Sequence, residues 1–467
     1  MAAALSSSAS PHVGDGHHDS AAPSSGLLLD VRAYSADRRN ASTVTSMTSN
    51  GHPIEVTLYT ARRLCSPTST STALLPADGG YQDPYMAPKV LAADADRVLF
   101  RLPVDPMFKH DQYFNDYFVY TSRPQHQQPT LDLLPHPPTP IADTAFAVLG
   151  CGGGGGDGDG VGRQYVVAAL SCMFESTSKA KLHLYRSSSS SKPGAGRTWT
   201  STAVSVEEPA RDRVCPTPST ADRYIFHRTT KAIVIGGAKG TVGWVDLWRG
   251  ILFCDVLDDS PKLRDLPLPN PAASNWRRFL MDNVPSCRDI TINQSKDSIK
   301  FIEMEIFSPI KKMEVAASSS NRQCQSDSSY LEGEILLEDY HVEHACPISI
   351  RFVEDWHLDC TTEQGDLHVD EPRHYELLHK LSMSSGYIQK DTWATMSLGC
   401  LRMAIPTLSI HGDLVHLLSE TAIHSADMGV VVTVDLRGKK LQGAAKLDSK
   451  KNPSPRRCFL ACDYRIF

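Results

Sequence analysis

Residues 224–269 read YIFHRTTKAIVIGGAKGTVGWVDLWRGILFCDVLDDSPKLRDLPLP. Four strand-length apolar runs lie in this stretch, at 232–235, 242–248, 251–257 and 263–268. They are separated by Gly236-Gly237, by Arg249-Gly250 and by Asp258-Asp259-Ser260-Pro261. Tight turns need such residues, because glycine reaches positive φ without steric cost and proline presets a turn. The expected product is four consecutive antiparallel strands, the size of one propeller blade.

Working outward, part of this unit recurs upstream. The strand-like Tyr117-Phe118-Val119-Tyr120 is followed by a polar turn and then by Pro129-Thr-Leu131-Asp-Leu-Leu134-Pro135. This matches Ile251-Leu252-Phe253-Cys254, a polar turn and Pro261-Lys-Leu263-Arg-Asp-Leu266-Pro267. The two copies stand 132 residues apart, which is close to three blades of roughly 44 residues. A C-terminal run at 412–418, 430–436 and 441–447 has an Arg437-Gly438 turn that echoes Arg249-Gly250, and Val434-Asp435-Leu436 echoes Val245-Asp246-Leu247. Residues 457–467 supply one more strand, placed to close a ring. Further strands are expected at 53–59, with Ile54, Val56 and Leu58 on one face, and at 97–102 and 117–121. Helical spacing is limited to 371–384, through Tyr375, Leu378 and Leu381, and to a short turn at 272–280. The Gly- and Ser-rich stretches 151–162, 187–196 and 315–329 read as loop insertions. The expected architecture is mainly β, a propeller-like repeat of short antiparallel strands with few short helices. It forms one body over 27–467 behind a polar N-terminal tail at 1–26 that is expected to be disordered.

The run 242–257, Val-Gly-Trp-Val-Asp-Leu-Trp-Arg-Gly-Ile-Leu-Phe-Cys-Asp-Val-Leu, resembles the signature of a plant family expanded in grasses and known as the domain of unknown function DUF1618. The resemblance continues through 263–269 and places the family's domain at about 244–400. Asn40-Ala-Ser-Thr and Gly51-His52, leading into a strand, extend it to the N-terminal part. It implies a propeller-like body and carries over no catalytic or ligand-binding residue. The Gly236-Gly237 pair followed by Trp244 is also similar to kelch and F-box-associated blades, although no F-box precedes residue 50. Within the signature, strand alternation puts Trp244, Asp246 and Trp248 on one face. The expectation is that the indoles pack between blades while Asp246 accepts hydrogen bonds that set the turn. Arg249, Gly250 and Asp255 complete this structural signature.

The hydrophobic fraction is 41% and the formal net charge is −6. That charge does not favour a nucleic acid or an anionic membrane as partner. No run approaches the ~18 apolar residues of a membrane helix, and residues 1–25 lack the features of a secretory signal. Twelve cysteines over the whole chain are too sparse for a disulfide framework. They fit small buried residues in a cytoplasmic or nuclear protein, and without secretion the tripeptides Asn40-Ala41-Ser42 and Asn293-Gln294-Ser295 are not glycosylation sites.

His341, His344, Cys346, His357 and Cys360 form the densest set of zinc-type ligands, but no Cys-x-x-Cys pair is present and surface histidines with core cysteines explain them as well. The glycines at 153–158 match a dinucleotide pattern by composition alone, and neither they nor 236–241 lead into the helix that a phosphate site requires. Asp157 and Asp159 lack the remaining ligands of a calcium loop. No Gly-x-Ser-x-Gly elbow is present. Ser187–Ser191, between Arg186 and Lys192, is a kinase target or simply a loop. The expectation is therefore a non-catalytic scaffold without cofactor that binds unidentified protein partners. The alternatives are a substrate adaptor for ubiquitin ligation and a zinc enzyme.

Overall fold

The computed structural model describes residues 27–31, 34–35, 39–62, 69–75, 88–104, 115–122, 128–151, 164–172, 178–187, 198–206, 210–214, 217, 226–281, 287–306, 348–354, 357–363, 366–369, 374, 376, 378, 403–419, 429–447 and 459–462. The fold is mainly β.

Among the described residues there are six sheets. The first draws on β1 (Leu27–Asp30), β2 (Tyr34–Ser35), β3 (Val44–Met47), β4 (Pro53–Arg62) and β5 (Ser69–Leu75). Five four-stranded antiparallel sheets follow in chain order. The second holds β6 (Lys89–Asp94), β7 (Arg97–Pro103), β8 (Asn115–Thr121) and β9 (Thr130–Leu134). The third holds β10 (Phe146–Cys151), β11 (Gln164–Cys172), β12 (Lys179–Arg186) and β13 (Thr200–Ser205). The fourth holds β14 (Lys231–Gly236), β15 (Thr241–Asp246), β16 (Gly250–Asp255) and β17 (Leu263–Pro267). The fifth holds β18 (Arg288–Ile292), β19 (Ile299–Ile306), β20 (Ile348–Glu354) and β21 (His357–Glu363). The sixth holds β22 (Met403–Leu408), β23 (Leu414–Ser419), β24 (Gly429–Asp435) and β25 (Lys440–Leu447). The last strand, β26 (Phe459–Cys462), returns to the first sheet and pairs antiparallel with β1, Leu27 opposite Cys462. Two short helices, α1 (Ala210–Val214) and α2 (Trp276–Leu280), lie in the connections on either side of the fourth sheet, and α2 meets the expected turn at 272–280. None of the described helices is long and apolar enough to cross a membrane.

The sheets stack face to face, which explains strands that are apolar on both sides. In the fourth sheet Val242, Trp244, Leu252 and Cys254 join a cluster with the third, including Val148, Val167 and Leu182. Val245, Ile251 and Phe253 join a second cluster with Ile290 and Phe301 of the fifth. The first strands also touch: β10 packs against β6 and β14, β18 against β14 and β22, and β26 against β22 and β6.

The duplicated motif occupies equivalent places, β8–β9 in the second sheet and β16–β17 in the fourth. Its 132-residue offset therefore spans two sheets rather than three, because the long connections 152–163, 187–199 and 206–230 stretch the intervening chain. The Arg-Gly echo is not equivalent: Arg249-Gly250 joins second to third strand, whereas Arg437-Gly438 joins third to fourth. Of the helical stretch 371–384, the described residues 374, 376 and 378 are helical and Leu378 is buried. Most of the insertions 151–162 and 187–196, all of 315–329 and Ser188–Ser191 lie outside the described residues, as does the tail 1–26.

Candidate functional site

Antiparallel order brings the turns between first and second strands, and those between third and fourth, to one end of their sheets. At this end the β18–β19 turn meets the β22–β23 turn around an open cavity of about 430 Å³, lined by Asn293, Gln294, Ser295, Lys300, Ile410 and Asp413. Asn293 shapes the first turn. Its side-chain oxygen accepts from the Asp297 and Ser298 amides, and its amide donates to Asp297 Oδ1 at 2.6 Å. Ser295 Oγ donates to the same carboxylate, and the hydrogen bonds from Asn293 and then Ser295 hold the Asp297 carboxyl below its ordinary pKa. Lys296 sits at φ 61°, left-handed backbone that only a turn tolerates for a side chain of this kind.

The second turn is held by Asp413. Its carboxylate accepts from Arg437 Nε at 2.6 Å and lies 3.8 Å from Lys300 Nζ, which also donates to the Gly412 carbonyl. His411 Nδ1 faces Gln294 Oε1 at 2.9 Å, joining the two turns. Deeper between the first strands the space narrows to about 60 Å³, bounded by small side chains such as Ala92, Ala93, Ala147 and Ala232. Lys296 Nζ closes over it to Asp94 Oδ1. Below, Asp289 ties three first strands together: it accepts from Lys231 Nζ of β14 at 2.7 Å and from the Leu408 amide of β22 at 2.8 Å. The arrangement can hold a polar surface group at the mouth, and it has no room for an organic ligand below it.

Within the DUF1618-like signature, Asp255 lies at the same end as this mouth and the Asp246–Gly250 turn at the opposite end of the fourth sheet. Trp244 is fully buried and donates from Nε1 to the Ala145 carbonyl at 2.7 Å. Asp246 accepts from the Trp248 and Arg228 amides at the turn. Trp248, however, does not share the face of Trp244. Because β15 ends at Asp246, Trp248 lies in the turn and enters the core shared with the sixth sheet, edge-on to Phe279. Arg249 reaches Asp212 of α1, and Arg211 of α1 pairs with Asp265 of β17. Gly250 lies against β17, where a Cβ would come 2.6 Å from the Leu266 carbonyl oxygen. Asp255 accepts from Thr241 Oγ1 and Arg264 Nη2 across three strands.

Sequence reasoning missed the buried pair Arg288–Glu303, both side chains fully enclosed. Arg288 also donates to the Leu247 and Pro269 carbonyls and lies 5.0 Å from the Trp248 ring centre. Glu303 accepts from the Ala272 amide and Asn275. Burial alone would raise the Glu303 carboxyl, but Arg288 and these hydrogen bonds outweigh it and hold it below its ordinary value. Of the candidate zinc ligands, His341, His344 and Cys346 lie outside the described residues, and His357 and Cys360 fall on β21, whose side chains there are not described. Among the described residues no cluster of three metal-type ligands occurs.

The model of the family described as protein of unknown function, DUF1618, matches residues 244–416. The chain contains a DUF1618 domain. The matched segment begins within β15 and ends within β23, so the DUF1618 boundaries cut through the fourth and sixth sheets. It encloses the Arg288–Glu303 pair and the lining of the mouth. No curated protein and no solved structure matches the chain.

Proposed function

We propose that this chain is a six-bladed β-propeller acting as a non-catalytic scaffold, which binds partner proteins through the turns at its polar mouth. The observation that carries the reading is the cyclic order in which the first strands touch, from β6 through β10, β14, β18 and β22 to β26 and back to β6, with β26 also paired to β1. Six sheets in such an order enclose a small, polar centre and present their turns together at one end. The mouth is an open concavity, its carboxylates and cations are committed to one another, and recognition through loops on a rigid support needs no further chemistry.

Affinity capture with the full chain tests this. Lys239→Glu with Arg437→Glu alters two exposed residues in turns at the mouth end, and Arg277→Glu alters the opposite end. The expected result is a partner, verified by reciprocal capture, that the mouth variant loses and Arg277→Glu retains. A partner lost only with Arg277→Glu, or one indifferent to both, would overturn the mouth as the binding surface.

A further inference from the structure

Asn50-Gly51 is the one asparagine–glycine pair in the sequence. Such pairs deamidate readily, because glycine puts no side chain in the way when its amide nitrogen attacks the asparagine side chain. The pair lies in the turn between β3 and β4. It is exposed, and Gly51 has open space around it and a φ of 81°. Both reacting groups are nevertheless held. The Gly51 amide donates to the Thr48 carbonyl at 3.0 Å, and Asn50 Oδ1 accepts from the Thr48 hydroxyl at 2.5 Å. Thr48 is itself buried, and its Oγ1 accepts from the His52 amide at 2.9 Å. Ring closure requires the nitrogen to leave the Thr48 carbonyl and the side chain to leave the Thr48 hydroxyl, so the turn must open first.

The residue between Thr48 and Asn50 carries a link from this turn to the second sheet. The Ser49 amide donates at 2.7 Å to Asp116 Oδ2, near the start of β8. That carboxylate is buried. Among the described residues its other oxygen has no hydrogen bond, and His136 Nε2 lies 3.8 Å from it.

We propose that Asn50 is a site of spontaneous deamidation which the Thr48 hydrogen bonds hold in check, and that its conversion loosens the first sheet from the second. The Gly51 nitrogen loses its proton and bonds to Asn50 Cγ, the side-chain amide leaves as ammonia, and a succinimide remains. Water then opens the ring at either carbonyl, giving aspartate or isoaspartate. Water is the only co-reactant. Either product sets a carboxylate one residue from the amide that Asp116 accepts, and like charges repel. Isoaspartate also adds a methylene to the backbone of the turn, which draws the Ser49 amide out of line. The site does not depend on the mouth binding anything.

The full chain is incubated at pH 8, native or unfolded in guanidinium chloride, and the peptide carrying Asn50 is followed by mass spectrometry. Acid should form in both samples, and more slowly in the native one. Native Thr48→Val, its fold checked by circular dichroism, should convert about fivefold faster than the wild type, the factor that one net hydrogen bond supplies. The converted fraction, separated by charge, should unfold at a lower urea concentration than the unconverted one. Asn50→Gln should keep its midpoint through the same incubation. No acid at Asn50, equal rates in native and unfolded chain, or no acceleration in folded Thr48→Val would overturn the proposal. The comparison of native with unfolded wild type decides it even where Thr48→Val fails to fold. A converted fraction with an unchanged midpoint would overturn the loosening of the two sheets.

Discussion

Lys296 Nζ lies 3.0 Å from Asp94 Oδ1, joining the β18–β19 turn of the fifth sheet to the end of β6 in the second. Both groups keep some contact with solvent, the lysine more than the carboxylate. Screening then limits what the pair contributes. A double-mutant cycle of Asp94→Asn and Lys296→Met, read from urea midpoints, should give a coupling below about 1 kcal/mol that shrinks as salt is added.

The Arg288–Glu303 pair is the opposite case. Arg288→Met would leave a buried carboxylate without its counter-ion, a loss of about 3–5 kcal/mol. The pH dependence follows from the direction of the Glu303 shift. A carboxyl whose pKa falls on folding stabilises the protein above its unfolded pKa, and that stabilisation is lost as pH drops through the folded pKa. Thermal melts from neutral to acid pH should therefore fall more steeply for the wild type than for Glu303→Gln, which starts less stable. Parallel curves would remove this carboxyl from the acid limb.

Two glycines separate steric space from backbone conformation. A Cβ at Gly250 would sit 2.6 Å from the Leu266 carbonyl oxygen, a backbone atom with no rotamer to yield. Gly250→Ala should cost about 1–3 kcal/mol by overpacking. Gly236 has open space around it but φ of 77°, so Gly236→Ala should cost only about 1–2 kcal/mol from the left-handed conformation. Denaturation midpoints with unchanged m-values measure both.

Burial pushes the Cys172 and Cys254 thiols up to about 12 and that of Cys287 to about 11. Thiolate is the reactive form. Iodoacetamide at pH 8 should leave Cys254 and Cys287 unmodified in the native protein and alkylate both in denaturant, as peptide mass spectrometry would record. Rapid native labelling of either would contradict the packing around β16 and β18.

The strands of the fourth sheet are legible because local signals agree there: apolar runs of strand length alternate with Gly-Gly, Arg-Gly and Asp-Asp-Ser-Pro breaks. Their ends are less so. The run 242–248 is uniformly apolar except for Asp246, so periodicity could not reveal that the chain turns at that residue and sends Trp248 to a different core. The mouth was not legible either. Lys300, Asp413 and Arg437 are ordinary surface residue types, and only the stacking of sheets brings the β18–β19 and β22–β23 turns together. Arg288 and Glu303 stand beside other charged residues, Asp289 in one strand and Lys300 and Glu305 in the other, so nothing in one sequence singles them out or pairs them.

The match of β1 with β26 has a consequence for how the chain is made. A ribosome delivers Leu27 early and Phe459 late, so this edge of β1 stays without its neighbour through almost the whole of translation. Each of the five four-stranded sheets can be assembled from contiguous chain as it emerges. The first sheet cannot, and its exposed edge must be kept from other nascent chains until the final strand arrives. A premature stop between residues 447 and 459 would thus leave five four-stranded units and one unmatched edge, a species suited to aggregation or to capture by chaperones.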